Sequence, residues 1–389
     1  MLRASLFLIF SAVIPVFGQS QTAQVPNRQV LKALPLGEDE GAVAGGMPGN
    51  PVKPLASPPV VPIKVSALTS PLEKKPAGDD ALRLQIFLDQ SCFGPGIIDS
   101  RPGHFTELAV ESWNEVHGYP QDDWVAVNTA ARKAVPNPLA VAVVPDVVKD
   151  WVNPDLPTKV TLQAKVKKMS YRSISKFMAE RYHCDETWLA TVNGAKKMEN
   201  LKARDSITVP NIEPFYIEKL TGIRYAADPA LSQRHVVVDT KLNQARIFEA
   251  APTALVVAEP GAEEITPTTR ANRGLIASFP ITPGQPKFIK YGTWELRTMV
   301  QLPNWRFDQQ LLDTGKRSGD SETLNIPPGP NNPVGVIWNG LSKPGIGMHG
   351  TPNPETIGRA RSHGCIRLAN WDAIRLPDLI RPGATVEIR

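Results

Sequence analysis

The sequence predicts a multidomain protein with a mostly β C-terminal domain, a β-sandwich or barrel, preceded by small α and βααβ modules. The chain has 389 residues, of which 42% are hydrophobic, so it is long enough for more than one domain. Apolar residues recur at helical spacing in the first half, whereas short alternating runs separated by turn residues follow residue 234. Helical modules are therefore expected before a β-rich domain.

The N-terminus, residues 1–18, has the pattern of a cleavable secretory signal. Arg3 precedes an apolar run at 6–17 that only Ser11 and Pro15 interrupt. The run is too short for a stable transmembrane helix. We therefore expect an exported protein that has no stable membrane span after cleavage before Gln19. An uncleaved anchor is the alternative.

Residues 19–80 form a proline-rich segment with prolines at short intervals between Pro48 and Pro76. Such a composition cannot build a helical core and is typical of an extended, semi-rigid spacer. We interpret it as a linker that holds the folded modules away from a surface.

Residues 81–136 are predicted to be helical. Apolar clusters at 82–88 and 108–116 flank a Gly-Pro-Gly turn at 94–96, and Thr106 is a plausible N-cap. The segment resembles the three-helix peptidoglycan-binding domain of many wall hydrolases. A generic helical module fits the same pattern.

Residues 165–212 are predicted to form a βααβ module. The opening strand is assigned to 165–169, the helices to the surroundings of Phe177 and Leu189, and the closing strand to 207–211. This order resembles a LysM-type glycan-binding module. The alternative is a βααβ spacer that does not contact glycan.

Residues 234–389 are predicted to be a mostly antiparallel β domain. Lys241 to Asn243 give a hairpin signal, and Asn370 is placed as the cap of a short helix that begins at Trp371. Strands are predicted at 235–238, 245–248, 294–300, 334–338, 346–349 and 385–388.

This domain holds the residues that predict chemistry. His349 lies sixteen residues before Cys365, one of only three cysteines in the chain. A cysteine attacks a carbonyl as the thiolate, so it needs a nearby imidazole or backbone amides. In an extended strand His363 and Cys365 share a face with Cβ atoms about 6.5–7 Å apart, which is long for a direct contact. We therefore expect His349 to be the general base, with the carbonyl of Gly350 orienting its imidazole.

The loop around the cysteine also offers hydrogen-bond donors for a substrate oxygen. Gly364 has no side chain, so its amide and those of His363 and Cys365 are expected to form an oxyanion site. A zinc site made by His349, His363 and Cys365 is the rival interpretation. Its ligand spacing matches none of the common zinc patterns, and we expect no metal and no cofactor.

These residues resemble the catalytic signature of the L,D-transpeptidases, the YkuD-like enzymes of bacterial cell walls. The resemblance covers His-Gly-Thr at 349–351, Ser-His-Gly-Cys-Ile-Arg-Leu at 362–368, and Asn370 and Asp372, and a Pro-Gly-Pro-Asn-Asn-Pro loop at 328–333 precedes them. It departs from the family at 291–294, where a Pro-Gly pair is usual. It implies an L,D-transpeptidase fold, with Cys365 as nucleophile, His349 as base, and the backbone of Ser362 to Cys365 stabilising the oxyanion.

The resemblance also implies the substrate class and, for an exported chain, a location in the periplasm or cell wall of a bacterium. The partners would be peptidoglycan stem peptides and glycan strands, the product a 3-3 cross-link at meso-diaminopimelate, and carbapenems would acylate the site. Arg367 is expected to bind a substrate carboxylate or to form a buried ion pair, and Thr351 and Asn332 are further candidate substrate-binding residues. An L,D-carboxypeptidase that uses water as acceptor, and a noncatalytic wall-binding scaffold, are the functional alternatives.

Charge and cysteine content add two expectations. The formal net charge of +5 suits anionic surroundings, but no basic cluster with interleaved aromatic residues indicates nucleic acid. Three cysteines leave at least one unpaired within a monomer, which we expect the chain to be, and Cys365 should be that one. Whether Cys92 and Cys184 form a disulfide stays open.

Overall fold

The structure, a computed structural model, describes residues 61–62, 74–249, 274–286, 288–310, 318–319, 323–360 and 364–389. The predicted signal segment and most of the predicted linker lie outside these residues. Part of that linker nevertheless joins a sheet, because β1 (Val61–Pro62) pairs antiparallel with β2 (Leu139–Val143). Among the described helices, none combines the length and the apolar character that a bilayer crossing requires.

Three helices follow the linker: α1 (Gly78–Gln90), α2 (His104–His117) and α3 (Trp124–Ala134). The carboxylate of Asp123 caps α3 by accepting a hydrogen bond from the amide of Ala126 at 3.0 Å. Thr106 is not the N-cap of α2, since Gly103 holds that position. Its hydroxyl instead donates to the carbonyl of Pro95 at 3.2 Å, which fixes the preceding turn against the helix.

The second module is built on β2 and β3 (Ser206–Pro210), which pair antiparallel. The helices between them are α4 (Val148–Trp151), α5 (Val160–Gln163), α6 (Ile174–Arg181), α7 (Glu186–Asn193) and α8 (Ala195–Glu199). The predicted opening strand at 165–169 is wrong. Leu139–Val143 takes that place because it is apolar throughout and buries Ala140 and Ala142, whereas Lys165 and Lys167 are exposed.

The C-terminal domain contains β4 to β13. In chain order these strands are His235–Asp239, Gln244–Phe248, Leu275–Pro280, Gly292–Gln301, Trp305–Phe307, Leu324–Ile326, Ile337–Leu341, Gly347–His349, Ile366–Arg367 and Thr385–Ile388. The predicted strand at 334–338 begins later than expected. Residues 334–336 form a turn whose conformation Asn332 supports, since its side chain accepts a hydrogen bond from the amide of Val334 at 3.0 Å.

Eight of these strands form one curled sheet in the order β12-β11-β10-β7-β13-β4-β5-β6. The β11–β12 and β13–β4 pairs are parallel and the other pairs are antiparallel. Thr282, just beyond β6, exchanges two backbone hydrogen bonds with Arg367 of β12, at 2.9 and 3.0 Å. The curl therefore brings the two edge strands together, and β12 lies where they meet. A separate two-stranded ribbon, β8–β9, packs beside the sheet.

A buried polar cluster fastens the helical modules to the C-terminal domain. Asp89 of α1 accepts hydrogen bonds from Arg375 at 2.6 Å and lies 3.1 Å from the ring of His183. That ring stacks on Trp371, with centroids 5.3 Å apart. Burial opposes the charge on Asp89, but Arg375 and His183 outweigh it and hold the pKa of this carboxyl well below its usual range. The cluster joins three parts of the chain across one interface.

Candidate active site

The candidate site lies on β11 and β12, which run parallel beside β10. Met348 is paired with Ile366, and His349 with Arg367. Alternate residues of a strand face opposite sides of a sheet, so Met348 and Ile366 enter the core while His349 and Arg367 share the other face. Cys365 continues this alternation and joins them on that face.

The Cβ atoms of His349 and Cys365 are diagonal neighbours in this register. Adjacent strands and a two-residue offset separate such atoms by about 8 Å, a gap that an imidazole and a thiol together can bridge. This placement depends on the pairing of two strands that the intervening loop connects. Local sequence spacing alone does not determine it.

The imidazole of His349 is held in one orientation. Its Nδ1 lies 2.6 Å from the carbonyl oxygen of Gly350, the contact expected from the sequence, and its ring stacks on Trp338 with centroids 5.6 Å apart. Because a carbonyl only accepts, Nδ1 must carry the proton. Nε2 is then an acceptor, and it has no hydrogen-bond partner among the described residues.

The electrostatic surroundings keep this imidazole neutral. His349 is fully buried, and this burial, together with the positive charge of Arg367, lowers its pKa from 6.5 to about 3 even though the Gly350 contact acts in the opposite direction. A neutral imidazole with an available Nε2 is the form that accepts a proton. His349 therefore has the protonation state of a general base.

The thiol of Cys365 is also fully buried. Its Sγ donates to the carbonyl oxygen of Gly345 at 3.5 Å, and burial raises its pKa to about 12. The thiol is therefore protonated at neutral pH in this arrangement. Attack on a carbonyl needs the thiolate, so the proton must leave to a base as the reaction begins.

Apolar side chains from distant parts of the chain share one cluster with Cys365. They comprise Trp305, Phe307 and Ile326 of the β8–β9 ribbon, Val334 and Trp338 from elsewhere in the C-terminal domain, and Leu156 and Met169 of the upstream module. Residues of the upstream module thus contribute to the surroundings of this cysteine.

Two predicted site residues, Ser362 and His363, lie outside the described residues, so their expected roles stay predictions. Gly364 is described, and it is buried against Gly284. A Cβ added to Gly284 would lie 2.5 Å from the Cα of Gly364, a distance that real side chains do not tolerate. The backbone before Cys365 therefore packs directly on the segment between β6 and β7.

Arg367 is fully buried and has unused donors. One guanidinium nitrogen, Nη2, donates to the carbonyl of Ala360, while Nε and Nη1 have no partner among the described residues. Burial lowers its pKa to about 10, although Glu355 favours the charged form. Of the two roles expected for Arg367, no ion pair is formed within the described part of the chain. Its unpaired N–H groups can donate hydrogen bonds to a carboxylate.

Thr351 and Asn332 are fully buried and engaged in internal contacts. The hydroxyl of Thr351 accepts from the amide of Asn353 at 3.3 Å, and the amide group of Asn332 donates to the carbonyl of Pro327 at 2.8 Å. Both side chains hold loops in this arrangement, and their expected contacts with substrate stay predictions.

Sequence reasoning missed Trp338 and Gly347. Trp338 is the cross-strand partner of His349, and its ring lies over Gly347, where an added Cβ would be 2.7 Å from the indole. The run Gly-Ile-Gly-Met-His-Gly at 345–350 carries the signal, since a glycine two residues before a histidine in a strand leaves space on the same face. Recognising it requires the register with β10.

A metal centre was the rival interpretation of this site. Within the residues that the structure describes, no group of three or more histidine, cysteine, aspartate or glutamate side chains is placed to hold a metal ion. His363, one of the three ligands of the zinc alternative, lies outside them. Cys92 and Cys184 form no disulfide in the described structure.

Comparisons with known proteins concern the C-terminal part of the chain. Residues 265–388 match the family model of the YkuD L,D-transpeptidase catalytic domain. A Bacillus licheniformis protein described as an L,D-transpeptidase YkuD is 43% identical over 70 residues, which cover 18% of this chain and 42% of that protein. A Bacillus subtilis protein of the same description is 42% identical over 71 residues, or 18% and 43% of the two chains. The chain thus spans less than half of either relative.

Solved structures give weaker similarities. The L,D-transpeptidase 3 of Mycobacterium tuberculosis shares 14% identity over 49% of this chain and 76% of its own, with a TM-score of 0.27. The L,D-transpeptidase of Mycobacterium smegmatis shares 18% identity over 40% and 58%, with a TM-score of 0.26. The family model and the sequence relatives, rather than these structures, support the assignment of residues 265–388 to the YkuD family of L,D-transpeptidase catalytic domains.

Proposed function

We propose that the protein is a peptidoglycan L,D-transpeptidase, a cysteine acyltransferase that forms cross-links between stem peptides through a thioester. The observation that carries this proposal is the imidazole of His349. Its Nδ1 is 2.6 Å from the Gly350 carbonyl, its Nε2 is unpaired among the described residues, and it shares a sheet face with Cys365. This geometry places a neutral imidazole acceptor on the sheet face that carries the thiol, and it lies within the segment matched to the catalytic domain.

The first half of the reaction acylates the cysteine. His349 Nε2 takes the proton of the Cys365 thiol, and the thiolate attacks the carbonyl carbon that follows the L-centre of a tetrapeptide donor. The tetrahedral oxyanion collapses with cleavage of the carbon–nitrogen bond. The imidazolium returns its proton to the departing amine, so a D-amino acid leaves and a thioester remains.

The second half transfers the acyl group. The amine of a second stem peptide attacks the thioester carbon while His349 takes its proton. The carbon–sulfur bond breaks, and Cys365 regains a proton from the imidazolium. The product is an amide cross-link, of the 3-3 type when the donor residue is meso-diaminopimelate. Water in place of the amine gives hydrolysis at the same site, the reaction of an L,D-carboxypeptidase.

Arg367 and the loop before Cys365 complete the proposed site. The buried guanidinium has two nitrogens without partners among the described residues, which suits a carboxylate of the donor. The backbone amides of Ser362, His363, Gly364 and Cys365 are proposed as the oxyanion site. The oxyanion contacts strengthen as negative charge develops on the attacked carbonyl oxygen, whereas the Arg367 contact orients the donor through a charge that does not change.

We further propose that the chain is exported as a monomer and that its upstream modules hold the wall. The expected signal at 1–18, the helical module at 81–136 and the LysM-like module at 165–212 carry these proposals. Glycan binding by the modules would keep stem peptides close to the catalytic domain, and a spacer role without glycan contact is the alternative.

The test is product analysis with a purified disaccharide-tetrapeptide. We expect the wild-type protein to release the terminal D-amino acid and to form a dimer, as measured by liquid chromatography and mass spectrometry, whereas Cys365→Ser forms neither. Tripeptide without dimer would identify an L,D-carboxypeptidase. Unchanged peptides, with wall pull-down retained by Cys365→Ala, would support a noncatalytic scaffold. Stoichiometric zinc with chelator-sensitive activity would overturn the cysteine mechanism.

A further inference from the structure

The side chain of Asn370 fills a small niche directly behind His349. Its Oδ1 accepts a hydrogen bond from the amide of Val336 at 3.2 Å. The same oxygen faces two glycines so closely that a Cβ on Gly335 would lie 2.2 Å from it and a Cβ on Gly350 would lie 2.1 Å from it. The sequence suggested that Asn370 caps a short helix, but its side chain does not have that role in the structure. It supports the backbone of Gly350.

That backbone is the part of the molecule that orients the proposed base. The carbonyl of Gly350 accepts the Nδ1 proton of His349 at 2.6 Å, so a rotation of this peptide would turn the imidazole. Asn370 contacts Gly350 on one side and Val336 on the other. Its position thus determines where the Gly350 carbonyl lies.

The amide group of Asn370 is held in turn by the upstream module. Its Nδ2 donates to Oε1 of Glu180 at 3.1 Å, across 190 residues of sequence. Glu180 belongs to α6, is almost fully buried, and accepts a second hydrogen bond at 2.7 Å from the hydroxyl of Tyr171. The carboxyl group therefore connects a helix of the second module to the candidate catalytic domain.

Among the described residues, Glu180 forms no ion pair. The lysine one turn earlier, Lys176, pairs with Glu355 at 3.5 Å, and Tyr171 and Asn370 are neutral donors. Burial raises the pKa of Glu180 to about 7, against the opposing effects of Lys176 and these two donors. A buried carboxyl without an ion-pair partner is costly to keep charged, so its position is set by the two neutral groups that donate to it.

We propose that Glu180 is a positioning residue for His349, acting through Asn370 and the Gly350 carbonyl. This inference rests on the proposed function, because it takes His349 as the base that receives the Cys365 proton. It adds that the base is correctly oriented only while α6 is docked on the catalytic domain. The second module would then be part of the catalytic unit in addition to any role in wall binding.

The experiment compares four single variants and one double variant of the full chain. Glu180→Ala removes the acceptor, Glu180→Gln keeps an oxygen at Oε1, and Asn370→Ala removes the middle of the connection. Glu218→Ala is the matched control, because it removes the carboxylate that pairs with the neighbouring Arg181 at 2.5 Å and does not contact Asn370. The double variant is Glu180→Ala with Asn370→Ala.

One readout is the second-order rate constant for acylation of Cys365 by a carbapenem between pH 5 and 9. We expect Glu180→Ala to lower it roughly 10- to 100-fold, since small misplacements of a catalytic group have effects of that size. The rate constants of Glu180→Gln and Glu218→Ala should stay within about threefold of the wild-type value. The double variant should acylate no more slowly than Asn370→Ala, because the effects of substitutions at linked residues are not additive. Equal loss in Glu218→Ala, or multiplied losses in the double variant, would overturn the proposal.

The second readout does not depend on acylation. In NMR spectra of ¹⁵N-histidine-labelled protein, the signals that disappear in His349→Gln are those of His349. Their chemical shifts report which ring nitrogen of His349 carries the proton. We expect the fixed Nδ1–H tautomer in wild type, Glu180→Gln and Glu218→Ala, and its loss in Glu180→Ala. Unchanged His349 signals in folded Glu180→Ala would refute the positioning role. If wild type takes up no carbapenem, the proposed function fails, while these spectra still decide the role of Glu180.

Discussion

The substitution Gly347→Ala tests whether Trp338 controls the candidate base. An added Cβ would lie 2.7 Å from the carbonyl oxygen of Asn339 and 2.7 Å from two atoms of the Trp338 ring. Non-bonded carbon atoms rest about 3.5–4.0 Å apart, so the ring must retreat by about 0.8 Å or more. Overpacking of this kind costs about 1–3 kcal/mol of stability.

The effect on chemistry follows from the stack of Trp338 on His349, whose centroids are 5.6 Å apart. A displacement approaching 1 Å next to a catalytic group lowers rates by up to about 100-fold, so acylation by a carbapenem should slow well beyond the loss of folded protein.

The control for Gly347→Ala is Gly118→Ala. Gly118 has a φ of 74° and no heavy atom within 4 Å of an added Cβ, so alanine there strains a helix end without pushing on any neighbour. The expected loss of stability is similar, about 1–2 kcal/mol. Gly118→Ala should acylate at the wild-type rate. Wild-type acylation by Gly347→Ala, or equal slowing in both variants, would refute the link between Trp338 and His349.

Three further predictions concern the site. His349→Ala should slow acylation by roughly 10²–10⁴-fold with the fold retained in circular dichroism, because the thiol loses its proton acceptor, and near-wild-type acylation would move the base role to His363. Arg367→Lys should raise KM for a carboxylate-bearing donor roughly tenfold, since an ammonium cannot replace the planar pair of donors, and an unchanged KM with lowered kcat would exclude carboxylate binding. Burial lowers the pKa of His349 from 6.5 to about 3, so the unfolded chain binds a proton at this histidine more readily than the folded chain does. As the pH falls from 6.5 towards 3, the free energy of unfolding of wild type should therefore decrease by about 1.4 kcal/mol per pH unit more than that of His349→Gln. Urea unfolding measures that difference, and parallel stability profiles would contradict it.

Local patterns in the sequence were sufficient for many of the strands. The hairpin signal at 241–243 predicted the hairpin of β4 and β5, and the strands predicted at 346–349 and 385–388 correspond to β11 and β13. The Gly350 contact of His349 was also predictable, because the two residues are adjacent in the chain.

Other features depend on pairing between distant segments. The strand Leu139–Val143 was missed although it is apolar, because its pairing with Ser206–Pro210 joins segments more than 60 residues apart. Asn370 looked like a helix cap because asparagine commonly is one, yet its partners are Val336 and Glu180. No local rule connects residues so far apart.

The burial of the cysteine is the largest departure from the sequence-based account. The sequence-based account expected an imidazole or backbone amides to support the thiolate, whereas burial raises the pKa of the Cys365 thiol to about 12. Residues such as Leu156 and Met169, from the upstream module, belong to the same apolar cluster. A sequence motif does not indicate which residues of another module pack around it.

The central claim is that Cys365 is a nucleophile in a site that accepts peptide-like acyl donors. The most direct measurement is the intact mass of reduced, folded protein after incubation with a carbapenem, beside Cys365→Ser, with peptide mapping of any adduct. The account predicts one added β-lactam on the wild type, located at Cys365, and none on the variant. An unmodified wild type, or equal modification of both proteins, would contradict it.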